Sequence, residues 1–175
     1  MTALIFIVDT LLSLALFVVL ARLLLQWARP DFRNPIAQAI VRLTNPLIMP
    51  LRRILPPVGK VDTASVVAVV LVAVVKVGIL FALTGYGSPG LELWVRTVAV
   101  ELVQAVLRTY FYAILLYTLL GLIAPGGYSP LQSLLASVCE PVLRPFRRLI
   151  PPIAGIDFSP LWALIAIQAI LLLLP

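Results

Sequence analysis

The chain contains no histidine and a single cysteine, Cys139. Without histidine, neither a Ser-His-Asp nor a Cys-His arrangement can be assembled within it. A Cys/His zinc cluster and a histidine-held haem are excluded on the same ground. One cysteine cannot close an internal disulfide, and Cys139 reads as a small apolar residue on a helix. A glycine-rich phosphate loop is missing as well. An enzyme is therefore the weakest class for this chain, with no catalytic residue, cofactor or metal implied. Charge is also scarce. Only 11% of the 175 residues are Asp, Glu, Lys or Arg, against roughly 25% in a soluble domain.

What the chain has instead is apolar surface: 62% of its residues are hydrophobic. Too few polar groups remain to cover a water-facing exterior, so its solvent must be largely lipid. The net charge of +6 then reads as a mark of the cytoplasmic side, not of nucleic-acid binding. Four apolar runs succeed one another: Ala3 to Trp27, Ala64 to Leu83, Thr97 to Ala124 and Ser159 to Leu174. A spanning helix needs about 20 residues. The fourth run is short for a core of about 30 Å unless it begins near Ile156 or the bilayer thins. No basic residue precedes the first run and no small-residue cleavage site comes after it, so it does not read as a signal peptide.

The first long loop carries Arg29, Arg33, Arg42, Arg52, Arg53 and Lys60, and the other carries Arg144, Arg147 and Arg148. The short connection from Gly85 to Leu93 has no basic residue. The positive-inside rule puts both basic loops in the cytoplasm and both termini outside. The expected fold class is an all-α polytopic membrane protein with four transmembrane helices.

Two stretches repeat. Pro50 to Pro57 reads PLRRILPP and Pro145 to Pro152 reads PFRRLIPP, a shift of 95 residues (147 minus 52). At that shift Pro35 meets Pro130, Pro46 meets Pro141, Pro50 meets Pro145, Pro56 and Pro57 meet Pro151 and Pro152, and Asp62 meets Asp157. Arg52 and Arg53 meet Arg147 and Arg148. Between Asn34 and Asp62 every identity is Pro, Arg or Asp. The halves share backbone geometry and charge placement on a drifting apolar background. Each half is span, basic segment, span, which makes the two repeats parallel. The chain divides into a first repeat over residues 1–80, a non-cytoplasmic hinge over 81–95 and a second repeat over 96–175.

This doubled pattern of ordered prolines, an arginine pair and an aspartate between two spans resembles the YggT/YlmG family of small integral membrane proteins. The resemblance runs over nearly the whole chain. It implies a bacterial inner-membrane location, with relatives in thylakoids. It also implies links to osmotic tolerance, to envelope or division-related organisation and, in plastids, to nucleoid distribution and cytochrome maturation. It implies no catalytic residues. The spacer differs between the halves, Val-Gly-Lys in one and Ile-Ala-Gly in the other.

Asn34-Pro35 and Ser129-Pro130 each offer an N-cap followed by proline at the first helical position. The apolar face expected in the first segment is Ile36, Ile40, Leu43 and Leu47; in the second it is Leu131, Leu134, Leu135, Val138 and Val142. Pro46 and Pro141 are expected to interrupt each helix, Pro50 and Pro145 to kink the next turn, and the double proline to end it. Such a segment can lie in the headgroup layer with its arginines toward phosphate. Alternatively, the two segments can dip inward and pack on each other. Both readings stay open. Asp62 and Asp157 precede spans as helix caps, Ser159 capping with them, or pair with Arg53 and Arg148.

Charges inside the apolar runs are the other candidates, because each costs at least about 2.5–3.5 kcal/mol at mid-bilayer. Depth counting pairs Asp9 with Lys76. Glu101, Gln104 and Arg108 form a polar stripe on one helix, and Gln168 lies where it could meet Arg108. Aligned by repeat, Asp9 meets Gln104 and Lys76 meets Leu171, so these charges are not repeated.

The functional expectation is a non-enzymatic inner-membrane protein that organises membrane or envelope components. Its contacts would be Arg52, Arg53, Arg147, Arg148, Arg42 and Arg144, reaching anionic lipid of the cytoplasmic leaflet, a membrane-protein partner or another copy. An oligomeric ion channel or osmolyte-linked transporter built on the buried charges is the alternative.

Overall fold

The computed structural model describes residues 2–28, 34–57, 62–85, 89–123, 129–149 and 157–174. Six α-helices and no strand occur among them: α1 (Thr2–Ala28), α2 (Pro35–Ile54), α3 (Thr63–Thr84), α4 (Leu91–Ile123), α5 (Pro130–Leu149) and α6 (Ser159–Leu173). Helices α1, α3 and α4 are long and apolar enough to cross a membrane. Helix α6 is as apolar but has 15 residues, about 22 Å at about 1.5 Å per residue. Leucine, valine and alanine runs without interior proline favour helix in these four elements. Gly85 ends α3 in the left-handed region, at φ 70° and ψ 17°, a conformation in which any Cβ would be strained.

Helices α2 and α5 are of a different kind. Their apolar positions gather on one side and their arginines on the other. Each runs unbroken for 20 residues, although interruption is expected at Pro46 and Pro141. All four interior prolines are exposed, and Pro46/Pro50 and Pro141/Pro145 each stand four residues apart on one helix face. The carbonyls that lose their donor therefore lie on the outer side, where other donors can reach them. The interior stripe of α2 is Ala37, Thr44 and Ile48, not the expected Leu43, which is 69% exposed. In α5 the expected face is present in Leu134, Leu135 and Val138 and continues through Cys139 and Leu143.

Helix starts agree with the expected chemistry at two places. The Asn34 side chain accepts from the amides of Ile36 (2.9 Å) and Ala37 (3.4 Å). Ser129 Oγ accepts from the amide of Gln132 at 3.0 Å. At α6 the cap position is Phe158, and Ser159 is already helical with Pro160 behind it. Asp157 Oδ1 takes over the capping role, accepting from the Ser159 amide at 2.9 Å.

The chain forms two compact units, one of Met1–Leu23 with Arg42–Val106 and one of Leu24–Val41 with Leu107–Pro175. These packing units cut α1, α2 and α4 internally, so they are a different division from the sequence repeat. The first is centred on Leu16, Leu20, Ile48, Ala64, Ala68 and Ala73. Alanines on α3 allow its neighbours to approach closely. In the second, Ile114, Cys139, Leu143, Ala163 and Ile167 interlock α4, α5 and α6. Within this unit the first turns of α2 also pack on α5, through Ala37, Leu134 and Val138. Asn34 donates to the Pro130 carbonyl there. The starts of the two amphipathic helices thus meet directly.

Candidate functional site: a repeated arginine–aspartate clamp

The repeated residues assemble into the same device in each unit. In the first, Arg52 lies in the last turn of α2 and Asp62 one residue before α3. Arg52 Nη2 donates to Asp62 Oδ2 at 2.6 Å, and Nε donates to the same oxygen at 3.2 Å. Ser65 Oγ adds a third bond to Oδ2 at 2.8 Å. Asp62 is 8% exposed, whereas Arg52 is 48% exposed. Thr63 Oγ1 at the start of α3 also donates to the Pro56 carbonyl, just past the end of α2, at 2.8 Å. Asp62 also stands at the positive end of α3, where a carboxylate is favoured.

In the second unit, Arg147 Nε donates to Asp157 Oδ2 at 2.9 Å and Nη1 to Glu140 Oε2 at 2.6 Å. Burial alone would push the Asp157 carboxyl up. Hydrogen bonding from Ser159, whose amide bonds Asp157 Oδ1, and the pairing with Arg147 outweigh it and hold it below the usual carboxylate range. Burial likewise opposes the charge on Arg147, but its bonds to Asp157 and the nearby Glu140 carboxylate raise its affinity for the proton. The Cys139 thiol, buried on the same helix, is pushed up to about 12 despite Arg147 nearby.

The expected partners of the aspartates are Arg53 and Arg148, and the structure corrects both. The clamp uses the first arginine of each pair. A residue step turns a helix by about 100°, so the neighbouring arginine points elsewhere. Arg53 and Arg148 are exposed, as are Arg42 and Arg144. Pro56 and Pro57 come after the end of α2; Pro151 and Pro152, like Arg29, Arg33 and Lys60, lie outside the described residues.

One contributor is not evident from the sequence. Arg22, inside the leucine-rich end of α1, is 3% exposed. Its Nη1 donates to Thr44 Oγ1 and Asn45 Oδ1, each at 2.8 Å. The repeat alignment gives the signal that could have found it. Arg22 aligns with Tyr117 and Asn45 with Glu140. In the first unit the polar tie joins Arg22 to Asn45; in the second the position equivalent to Asn45 is Glu140, which bonds Arg147.

A second polar cluster sits between apolar helices of the first unit. Lys76 on α3 is 2% exposed and lies 3.1 Å from Asp9 Oδ1 of α1 and 2.6 Å from Glu101 Oε1 of α4. It also donates to Ser13 Oγ at 2.8 Å. Depth counting pairs Asp9 with Lys76, and the pair is present. Glu101 joins it instead of acting only within a stripe with Gln104 and Arg108. In the second unit Arg108 and Gln168 line one groove on α4 and α6.

A helical protein with apolar helices long enough to cross a membrane, and with a basic, proline-marked segment in each of two similar halves, is the class defined by fold and site. The family description that matches is CCB3/YggT, over residues 1–83 and 97–175. The chain belongs to the CCB3/YggT family. Among its relatives, Uncharacterized protein PA0392 of Pseudomonas aeruginosa is 41% identical over 97% of this chain and 86% of its own length. Uncharacterized protein YggT of Escherichia coli K12 is 34% identical over 92% and 83%. A Vibrio alginolyticus protein named for its position in the proC 3' region is 36% identical over 96% and 91%. No solved structure matches the chain.

Proposed function

We propose that this protein is a non-enzymatic, four-span protein of the bacterial inner membrane that organises membrane or envelope components through α2 and α5. In this reading α6 is the short fourth span, both basic segments face the cytoplasm and both termini lie outside. The positive-inside distribution of arginine supports that orientation. The observation that carries the reading is the division of labour within each arginine pair. Arg52 and Arg147 are engaged by aspartates, which ties the end of each amphipathic helix to the start of the apolar helix after it. Arg53 and Arg148 stay exposed beside Ile54 (77% exposed) and Leu149 (79% exposed). A guanidinium next to an exposed large apolar side chain suits the headgroup boundary, where phosphate and acyl chain meet. Each basic residue there is worth about 1 kcal/mol. Arg42 and Arg144 extend the basic face, which would meet anionic lipid, a membrane-protein partner or another copy.

The test changes Arg42, Arg53, Arg144 and Arg148 to Ala together and leaves both clamps intact. Binding to anionic vesicles should fall by up to about a thousandfold, from about 1 kcal/mol for each of the four residues, and binding to any captured membrane partner should fall with it. Unaltered binding of both overturns the reading. A second reading rests on the Lys76 cluster: three ionisable side chains from three apolar helices could serve ion passage in an oligomer, and a link to osmotic stress would suit it. Purified protein in liposomes should then pass ions in a manner that Glu101→Gln alters. Absence of flux with and without an osmotic gradient removes that reading.

A further inference from the structure

The repeat alignment places two different solutions at one spot. In the first unit Ser13 of α1 meets Lys76 of α3 at 2.8 Å, and carboxylates close the site around the lysine. The aligned positions in the second unit are Arg108 on α4 and Leu171 on α6, with Gln168 in the place of Ala73. The cation has moved to the other helix, and the space is not closed. Arg108, Phe111, Tyr112, Gln168, Leu171 and Leu172 line a half-open groove of about 290 Å³.

Its wall is chemically divided. Arg108, Tyr112 and Gln168 supply a guanidinium, a phenol and an amide, all donors. Phe111, Leu171 and Leu172 supply apolar surface along the helix. Arg108, Tyr112, Gln168 and Leu172 are exposed. Gln168 stands five residues before the end of α6 at Leu173, about 8 Å at about 1.5 Å per residue. A helix of 15 residues does not reach across a core of about 30 Å. Bilayer thinning at a short helix brings headgroups down to such a depth, and a charged residue there promotes the same distortion.

We propose that this groove binds one phospholipid through its anionic phosphate. Arg108 meets the phosphate as a two-pronged donor, Gln168 and Tyr112 take further oxygens, and the start of an acyl chain lies on Phe111 and Leu171. The volume suits a headgroup, with the chains left in the bilayer. The proposal needs α4 and α6 in a membrane, but not the lipid contact of α2 and α5.

The test is native mass spectrometry of the full chain in detergent, titrated with phosphatidylglycerol or phosphatidylcholine. Wild type should retain one phosphatidylglycerol in preference to phosphatidylcholine. Arg108→Ala should weaken that retention by about tenfold or more, the loss of a charged hydrogen bond. Arg108→Lys should weaken it less. Leu172→Trp, which fills the groove from an exposed position, should weaken it with the arginine intact. Arg53→Ala/Arg148→Ala should leave the Arg108-dependent lipid in place, which separates this site from the basic helices. Retention unchanged in both Arg108→Ala and Leu172→Trp overturns the proposal. Displacement of the lipid by millimolar inorganic phosphate would also overturn it, marking a free-anion site.

Discussion

Arg52 and Arg147 occupy the same place in the two halves, yet their removal should not cost the same. Arg52→Ala takes the guanidinium from Asp62, which is 8% exposed, while the Ser65 hydroxyl keeps its bond to Oδ2. A buried group that loses its partner costs about 1–3 kcal/mol. The figure of about 3–5 kcal/mol for a fully buried pair is too large, because Arg52 is half in solvent. Asp157 is 41% exposed and Arg147 33%. Solvent re-hydrates that carboxylate, and pairs of this exposure are worth about 0.2–1 kcal/mol. The Arg52–Asp62 pair should therefore be the more strongly coupled by about 1 kcal/mol, whereas Arg147→Ala also loses its bond to Glu140. Arg52→Lys should recover only part, since a lysine lacks the forked donor geometry. The assay is reversible unfolding in mixed micelles, run as a double-mutant cycle with Asp62→Asn and Asp157→Asn. A coupling between Arg52 and Asp62 of about 0.5–3 kcal/mol is expected. Equal coupling in the two halves, or no coupling in the first, would refute the idea that burial of the aspartate sets the difference.

Lys76→Met should destabilise the first unit by about 1–3 kcal/mol, because Glu101, 18% exposed, loses its cation while Asp9, 44% exposed, is less affected; adding Glu101→Gln should restore part of the loss in the same micelle assay. The depressed Asp157 carboxyl makes stability pH-dependent. Its contribution is complete above the ordinary value near 3.8 and is lost as pH falls through the lower folded value, since the unfolded chain then binds the proton more readily. Unfolding midpoints taken below about pH 4 should fall less steeply with acid in Asp157→Asn than in wild type. Cys139, fully buried with its thiol pushed to about 12, should resist maleimide in the folded protein and react on unfolding; rapid labelling of the native state would contradict its packing.

Much of this architecture is written in composition and period. The apolar runs mark α1, α3, α4 and α6, and the N-caps at Asn34 and Ser129 mark two helix starts. The residues that needed three dimensions share a physical reason. Adjacent arginines differ by a helical rotation, so sequence spacing alone does not choose between Arg52 and Arg53. The prolines of α2 and α5 read as breaks because their cost depends on which face they occupy, and that face is set by packing. Arg22 hides in a leucine run because a single charge hardly alters an average over a span. Glu101 joins Lys76 because α4 is brought beside α3, a tertiary fact absent from the pattern on α4 itself.

The most direct measurement of the central claim is photo-crosslinking in native membranes from positions 53 and 148, with position 11 on α1 as a lipid-facing reference. The account predicts adducts with anionic lipid headgroups at 53 and 148 and with acyl chains at 11. Adducts at 11 alone, with 53 and 148 reacting only with water, would contradict it.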